Sequence, residues 1–380
     1  MGIRRGHKAR PLEFIAEKII LAVSLTAIAM VFLIFLFVGR EALPILTGTL
    51  NSAATQETRV IPVEDMDKLS PTQLQGYLGL TDAEFKNLDH DAMKALMEVR
   101  IESASETSTD KDATVNTVGW RSLLLPRQWS DYDRPVYVWQ PVSKIHKYNI
   151  VPLVVGTLKT TLVALLFATP LALGAALYVS QLTSPRWKEW LKPAIEMLSA
   201  IPSVVLGAFA ALLLATTLQR VFGYQYRLNA FLAGIALGLA SIPVIFSIAE
   251  DALTSVPRSF TQGALALGAS RWTAAWQIVV PAAIPGLSAA VILGFGRCIG
   301  ETMVVLIASG NAAILSPNLL DPARTITATI AAELGETVVG GHHYRMLFVL
   351  GTLLFLVTFL TNLAGDLVMD RLKKRLEGGR

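Results

Sequence analysis

The sequence predicts an all-α membrane protein built on six transmembrane helices. Of its 380 residues, 53% are hydrophobic and 16% charged, where soluble domains carry about 25% charged residues. The mean hydropathy is +0.50. Six stretches reach the roughly 20 mainly apolar residues that a hydrocarbon layer about 30 Å thick demands. These figures exclude disordered, collagenous and disulfide-scaffold classes, and the single Cys298 leaves no intrachain disulfide partner.

In chain order the predicted spans are 19–39, 151–180, 194–218, 229–249, 285–308 and 346–368. The second is long enough to require tilt or protrusion. Lys and Arg gather at the N-terminus (Arg4, Arg5, Lys8, Arg10), at Arg186, Lys188 and Lys192, and in the tail from Arg371 to Arg375. Cytoplasmic segments are rich in these residues, so both termini are placed inside, 41–148 and 309–345 outside, and 250–284 back in the cytoplasm. A cleavable signal peptide is the competing reading of the N-terminus, but its apolar run exceeds the usual 7–15 residues or so. The domain division is therefore 1–40, cytoplasmic N-terminus and first span; 41–148, an extracytoplasmic insert; and 149–380, the five-span core.

The net charge of +4 does not indicate nucleic acid, because it is unevenly distributed: residues 41–148 hold 11 Lys and Arg against 16 Asp and Glu, the remainder 22 against 13. The insert is expected to be mostly helical. Ser70 before Pro71, and Thr81 with Glu84, read as helix starts. Phe85, Leu88, Met93, Leu96, Met97 and Val99 approximate one helical face, and 107–116 reads as a linker.

No phosphate-binding Walker A loop occurs, so ATP energy has to come from a partner. His7, His90, His146, His342 and His343 show no metal-ligand spacing, and no nucleophile-elbow or metalloprotease signature is present. The expected reading is a non-enzymatic chain that binds no metal or cofactor itself.

Residues 250–281, EDALTSVPRSFTQGALALGASRWTAAWQIVVP, are too polar for lipid and too long for a tight turn. A helix is predicted over 259–267 with a stop at Gly268, followed by a second short helix over 271–279. This segment resembles the cytoplasmic signature of ABC importer permeases: E-A-A, three residues, G, nine residues, I-x-L-P. Gln262, Gly263, Ala264, Gly268, Ile278, Val280 and Pro281 stand in register with it, with Gln, Gly and Val replacing the usual residues at 262, 263 and 280. The resemblance implies a six-span type I, MetI-like permease whose 259–280 elements dock into an ATPase subunit; the small residues at 263, 264 and 268 suit a close backbone approach.

Arg297 and Glu301 interrupt the otherwise apolar fifth span. Arg297 lies roughly 18 Å beyond Pro285 along a helix axis, near the bilayer midplane. Charge there costs at least about 2.5 kcal/mol, so both groups are expected to face the bundle interior or a water-filled path. At i,i+4 they share a helix face. They read either as a buried ion pair that fixes packing, or as an anion-binding guanidinium with a competing carboxylate. Thr302, Ser309 and Asn311 could add donors, although Ser and Thr often bond back to the helix backbone; the same holds for Ser203 and Ser241. Pro202 and Pro243 predict bends. Gly234/Gly238 and Gly296/Gly300 predict close helix packing, and Lys159 is expected to snorkel to headgroups.

The string GRCIGETM at 296–303 resembles the fifth span of phosphate-specific ABC permeases, the PstC-type subunit more than its PstA-type partner. Further matches are YNIVPLVVGTL at 148–158, SAIPSVVLG at 199–207, ARTITATIAAELGE at 323–336 and HHYRMLFVLG at 342–351. The resemblance implies that Arg297 and Glu301 line a phosphate path in a bacterial inner-membrane importer. It also implies a PstA-type partner subunit, an ABC ATPase dimer using ATP and magnesium, a periplasmic phosphate-binding protein and surrounding lipid, with no nucleic acid. Permeation of sulfate or molybdate is the rival within transport; a receptor or scaffold acting through 41–148 is the rival outside it.

Overall fold

Six helices in the computed structural model are long and apolar enough to cross a membrane: Glu17–Leu46, Val151–Leu182, Ser203–Phe222, Ala230–Thr254, Arg271–Gly300 and His342–Leu367. The structure describes residues 11–47, 71, 74–75, 85, 88–89, 92–99, 117–143 and 145–377. In chain order, α1 is Pro11–Leu46 and α2 Trp120–Leu124. The strands β1 (Trp139–Gln140) and β2 (Lys147–Tyr148) follow, then α3 (Val151–Leu177), α4 (Pro185–Glu196), α5 (Ser203–Phe209), α6 (Ala215–Phe222) and α7 (Ala230–Thr254). The last elements are α8 (Arg258–Ala266), α9 (Arg271–Ala274), α10 (Val280–Gly300), α11 (Met303–Ala308), α12 (Ile326–Glu333) and α13 (His342–Glu377).

Helix α7 is the centre of the bundle, packed between α3 and α10. Small residues allow this. A side chain at Gly234 would lie 2.5 Å from Val163, one at Gly238 2.9 Å from Phe167, and one at Gly294 2.5 Å from Ile245. Close approach of this kind drives helix association in lipid, where no hydrophobic gradient exists between helices. At the periphery α1 lies against α13 through Phe35–Phe355 and Phe37–Phe348 ring contacts.

Two spans differ from the sequence expectation. The third begins at Ser203, not near 194: Pro185–Glu196 forms the separate amphipathic helix α4, which runs through a 3-10 turn, Met197–Ala200, into extended backbone at Ile201 and Pro202. The fifth begins at Arg271, capped by the Ser270 hydroxyl. It continues through a π turn, Ala275–Val279, into α10, so the expected second short helix is the start of the span. Pro243, expected to bend its span, sits inside an unbroken α7.

In the insert a helical run covers 92–99, with Met97 buried and Leu96 and Val99 exposed. The part nearest the core is an antiparallel ribbon pairing Trp139 with Tyr148 and Gln140 with Lys147. Trp139, Tyr148 and Leu123 join Ala42, Ile45, Ile326 and Met346 in one apolar cluster at the outer end of the bundle. The Trp120 indole donates to the Leu46 carbonyl at 3.3 Å, so the two ends of the long connection after α1 lie side by side. Ser70, Thr81, Glu84 and the 107–116 linker lie outside the described residues.

Candidate functional site

The fifth span breaks where the sequence places its charges. Helix α10 ends at Gly300, Glu301 is extended (φ −71°, ψ 133°), and the chain turns helical again only at Met303. Arg297 lies in the last turn of α10, where a cation complements the helix dipole. The expectation that Arg297 and Glu301 share a face of one continuous helix is therefore corrected. The break holds because Thr327, 26 residues on, donates its hydroxyl to the Glu301 carbonyl at 2.9 Å, satisfying an acceptor that the lost helical turn leaves free. The glycine at 207 seats α5 against the far side of the break, since a side chain there would meet the Met303 carbonyl and the Val304 Cα at 3.2 Å.

The depth of Arg297 follows from its neighbours. The adjacent Cys298 Sγ is 3.1 Å from the Ser241 hydroxyl. Ser241 is 11 residues into the 25-residue α7, roughly 17 Å along its axis from the first residue and so near the middle of a spanning helix.

Arg297 and Glu301 line one cleft of about 280 Å³ together with residues 198–203, Leu206 and Ala240. No ion pair within 4 Å joins the two charges or ties Arg297 to another carboxylate among the described residues, and Arg297 is exposed in the single chain. The 3-10 turn and Pro202 line the same cleft. Ser203 lines it too; the sequence offered Ser203 as a candidate donor, but no local pattern places it beside Arg297. Ser199 bonds back to the Glu196 carbonyl at 2.6 Å.

The other expected path residues lie elsewhere. Thr302 sits on a separate, larger groove of about 530 Å³ lined by Thr327, Ile330, Ala331, Leu334 and Leu354, and its hydroxyl returns to the Gly300 carbonyl at 3.4 Å. Ser309 is fully buried in the turn that follows α11 and accepts the Asn311 N–H at 3.3 Å. Asn311, at φ 45°, accepts the Arg324 guanidinium at 3.0 Å. Arg324 in turn meets Glu333 at 2.6 Å, and the Trp139 indole and His343 reach the same carboxylate at 3.2 and 3.3 Å. Burial pushes Glu333 above the ordinary carboxylate range, while Arg324 and the Trp139 indole pull it back down. Lys159 does not snorkel: it is 7% exposed and donates to the Asn318 carbonyl at 3.1 Å, pinning the outer loop.

Between α7 and the fifth span, α8 carries Gln262, Gly263 and Ala264 and stops at Gly268 in the left-handed conformation (φ 88°), as its spacing predicts. Gln262 and Gly263 are exposed and Ala264 is buried. The surface around them presents Phe260, Leu265 and Leu267, with Leu267 91% exposed. Ile278 lies in the π turn and Pro281 in the first turn of α10.

The sequence profile of the binding-protein-dependent transport system inner membrane component matches residues 168–378, more than half of the chain. The chain belongs to this family. With its six spans it has the mostly helical type I permease fold and is a multi-pass inner-membrane protein. This permease is 36% identical over 224 residues to a probable ABC transporter permease protein, YqgH, of Bacillus subtilis, covering 58% of this chain and 72% of that protein. It is 33% identical over 258 residues to the phosphate transport system permease protein PstC of Xylella fastidiosa, covering 62% and 78% respectively. Superposed on the inward-facing MetNI methionine ABC transporter, the permease gives a TM-score of 0.45 at 19% identity, covering 58% of this chain and 95% of that one.

Proposed function

We propose that this permease is a transmembrane subunit of an ATP-driven importer that carries inorganic phosphate into the cytoplasm, performing no covalent chemistry itself. The observation that carries the reading is that the Arg297 guanidinium, in no ion pair among the described residues, and the Glu301 carboxylate line one cleft at a helix break. A guanidinium fork offers a phosphate two parallel hydrogen bonds. The nearby carboxylate competes with the anion and prevents a permanent trap. Ser203 supplies a hydroxyl in the same cleft. The similarity to phosphate permeases of the PstC type supports the choice of anion.

In this reading a PstA-type subunit closes the open side of the cleft, and an ABC ATPase dimer, using ATP and magnesium, docks on Gln262, Gly263, Ala264, Gly268, Ile278 and Pro281. A periplasmic phosphate-binding protein delivers the ion, and both termini are cytoplasmic. Closure of the ATPases displaces α8 and rocks the bundle, so that the cleft opens alternately to the two sides.

The test is ATP-dependent phosphate uptake into vesicles holding all the subunits. Replacing Arg297→Ala together with Glu301→Ala is expected to abolish uptake while ATPase binding persists. Unchanged uptake rejects the site. Competition by sulfate or molybdate at equimolar concentration rejects phosphate as the selected ion.

A further inference from the structure

A buried carboxylate at the inner end of α7 has no part in the path described above. Glu250 is 1% exposed, and both its oxygens are held: Lys188 Nζ reaches Oε1 at 2.6 Å, Lys192 Nζ reaches Oε2 at 2.7 Å, and Thr254 donates to Oε1 at 2.8 Å. Lys192 also meets the exposed Asp251 at 3.2 Å. The hydrogen bond to Glu250 raises Lys192 above the ordinary lysine range, against the opposing effect of its own partial burial. A second tie joins the same two helices, from the Ser247 hydroxyl to Glu196 at 3.0 Å.

Two lysines one helical turn apart on α4 thus converge on a single carboxylate of α7. The sequence separation is about 60 residues, so no local pattern announces the arrangement. What makes it informative is what each helix leads to. Three residues after α7 ends at Thr254, the coupling helix α8 begins at Arg258. Helix α4 runs without a gap into the 3-10 turn Met197–Ala200 and then Pro202, which line the cleft together with Arg297. An apolar contact between α4 and α7 could slide. A buried carboxylate shared by two ammonium groups cannot, because separating it strands a charge away from water.

We propose that the contact of Glu250 with Lys188 and Lys192 is a positioning latch that makes α4 and the inner end of α7 one rigid body, so that displacement of α8 moves the 197–203 wall of the cleft. This rests on the transport reading above and adds the residues that couple the two ends of the chain. Neither lysine nor Glu250 touches the transported ion; they act through the turn at 197–203.

The experiment compares phosphate uptake and ATP hydrolysis in the same vesicles holding the complete complex. With Lys188→Met and Lys192→Met, hydrolysis is expected to stay within about twofold of the unmodified complex while phosphate carried per ATP falls about tenfold, a size typical of a coupling network. Lys192→Arg alone, which keeps the charge, is expected to preserve the ratio. An unchanged ratio in the double variant overturns the latch.

Because stranding Glu250 could prevent assembly, a second variant leaves the latch intact. In Glu196→Cys with Ser247→Cys, a short cleavable thiol cross-linker bridges α4 to α7. If the two helices travel together, bridging leaves uptake within about twofold. Loss of uptake on bridging, restored on cleavage, means that they separate during transport and overturns the proposal. Absence of ATP-dependent phosphate uptake in the unmodified complex is a different failure: it rejects the transport reading, and the latch falls with it.

Discussion

Arg297 and Glu301 were legible in the sequence because charge at the centre of an apolar run has few explanations. Their geometry was not. The i,i+4 spacing suggested one helix face, but the helix ends between them, and what ends it is a hydrogen bond from Thr327 that no local pattern encodes. Thr327 therefore supports the site without belonging to the cleft. Thr327→Val keeps the shape and removes the donor, leaving the Glu301 carbonyl unpaired at a cost of about 1–3 kcal/mol. The expected outcome is a lowered apparent melting temperature in detergent and weaker phosphate uptake; unchanged values in both measurements would show that the break holds itself open. Lys159 teaches the same lesson. A lysine near a span's end reads as a headgroup anchor, and only the fold reveals the Asn318 carbonyl waiting for it.

At the level of elements, hydropathy located all six spans, since length and apolar content follow directly from bilayer thickness. It misplaced the starts of the third and fifth, because an amphipathic helix at the surface and a helix crossing the hydrocarbon share one propensity and differ only in burial. Glycines divide into two kinds that composition does not separate. A side chain at Gly156 in α3 would lie 2.2 Å from the backbone carbonyl of Arg324, whereas one at Gly263 in α8 meets nothing within 4 Å. Gly156→Ala is thus expected to force α3 away from the 323–327 segment and to cost about 1–3 kcal/mol. Gly263→Ala is expected to change stability by less than about 0.5 kcal/mol, with any effect confined to ATPase binding. Thermal unfolding of both variants, beside pull-down of the ATPase, separates the two roles. Equal destabilisation would contradict the exposed position of α8.

For the molecule as a whole, the insert is where sequence reading reached least far. Its apolar residues at 92–99 do form a helix, but nothing in the sequence announces the short ribbon that joins the core, whose tryptophan reaches Glu333, some 190 residues away. Because Trp120 returns to Leu46, replacing 48–116 with a short glycine–serine linker is expected to preserve the six-span bundle and ATP-driven uptake. Loss of uptake with the bundle intact would instead favour a sensing or scaffolding role for that segment. The exposure of Arg297 in the single chain carries a cost of its own. In the proposed heterodimer the partner subunit would cover this guanidinium; left facing lipid at mid-depth it would carry a penalty of at least about 2.5 kcal/mol. An orphan copy is therefore a poor resident of the bilayer. If Arg297 selects the ion as proposed, the same charge would also disfavour a copy that lacks its partner subunit.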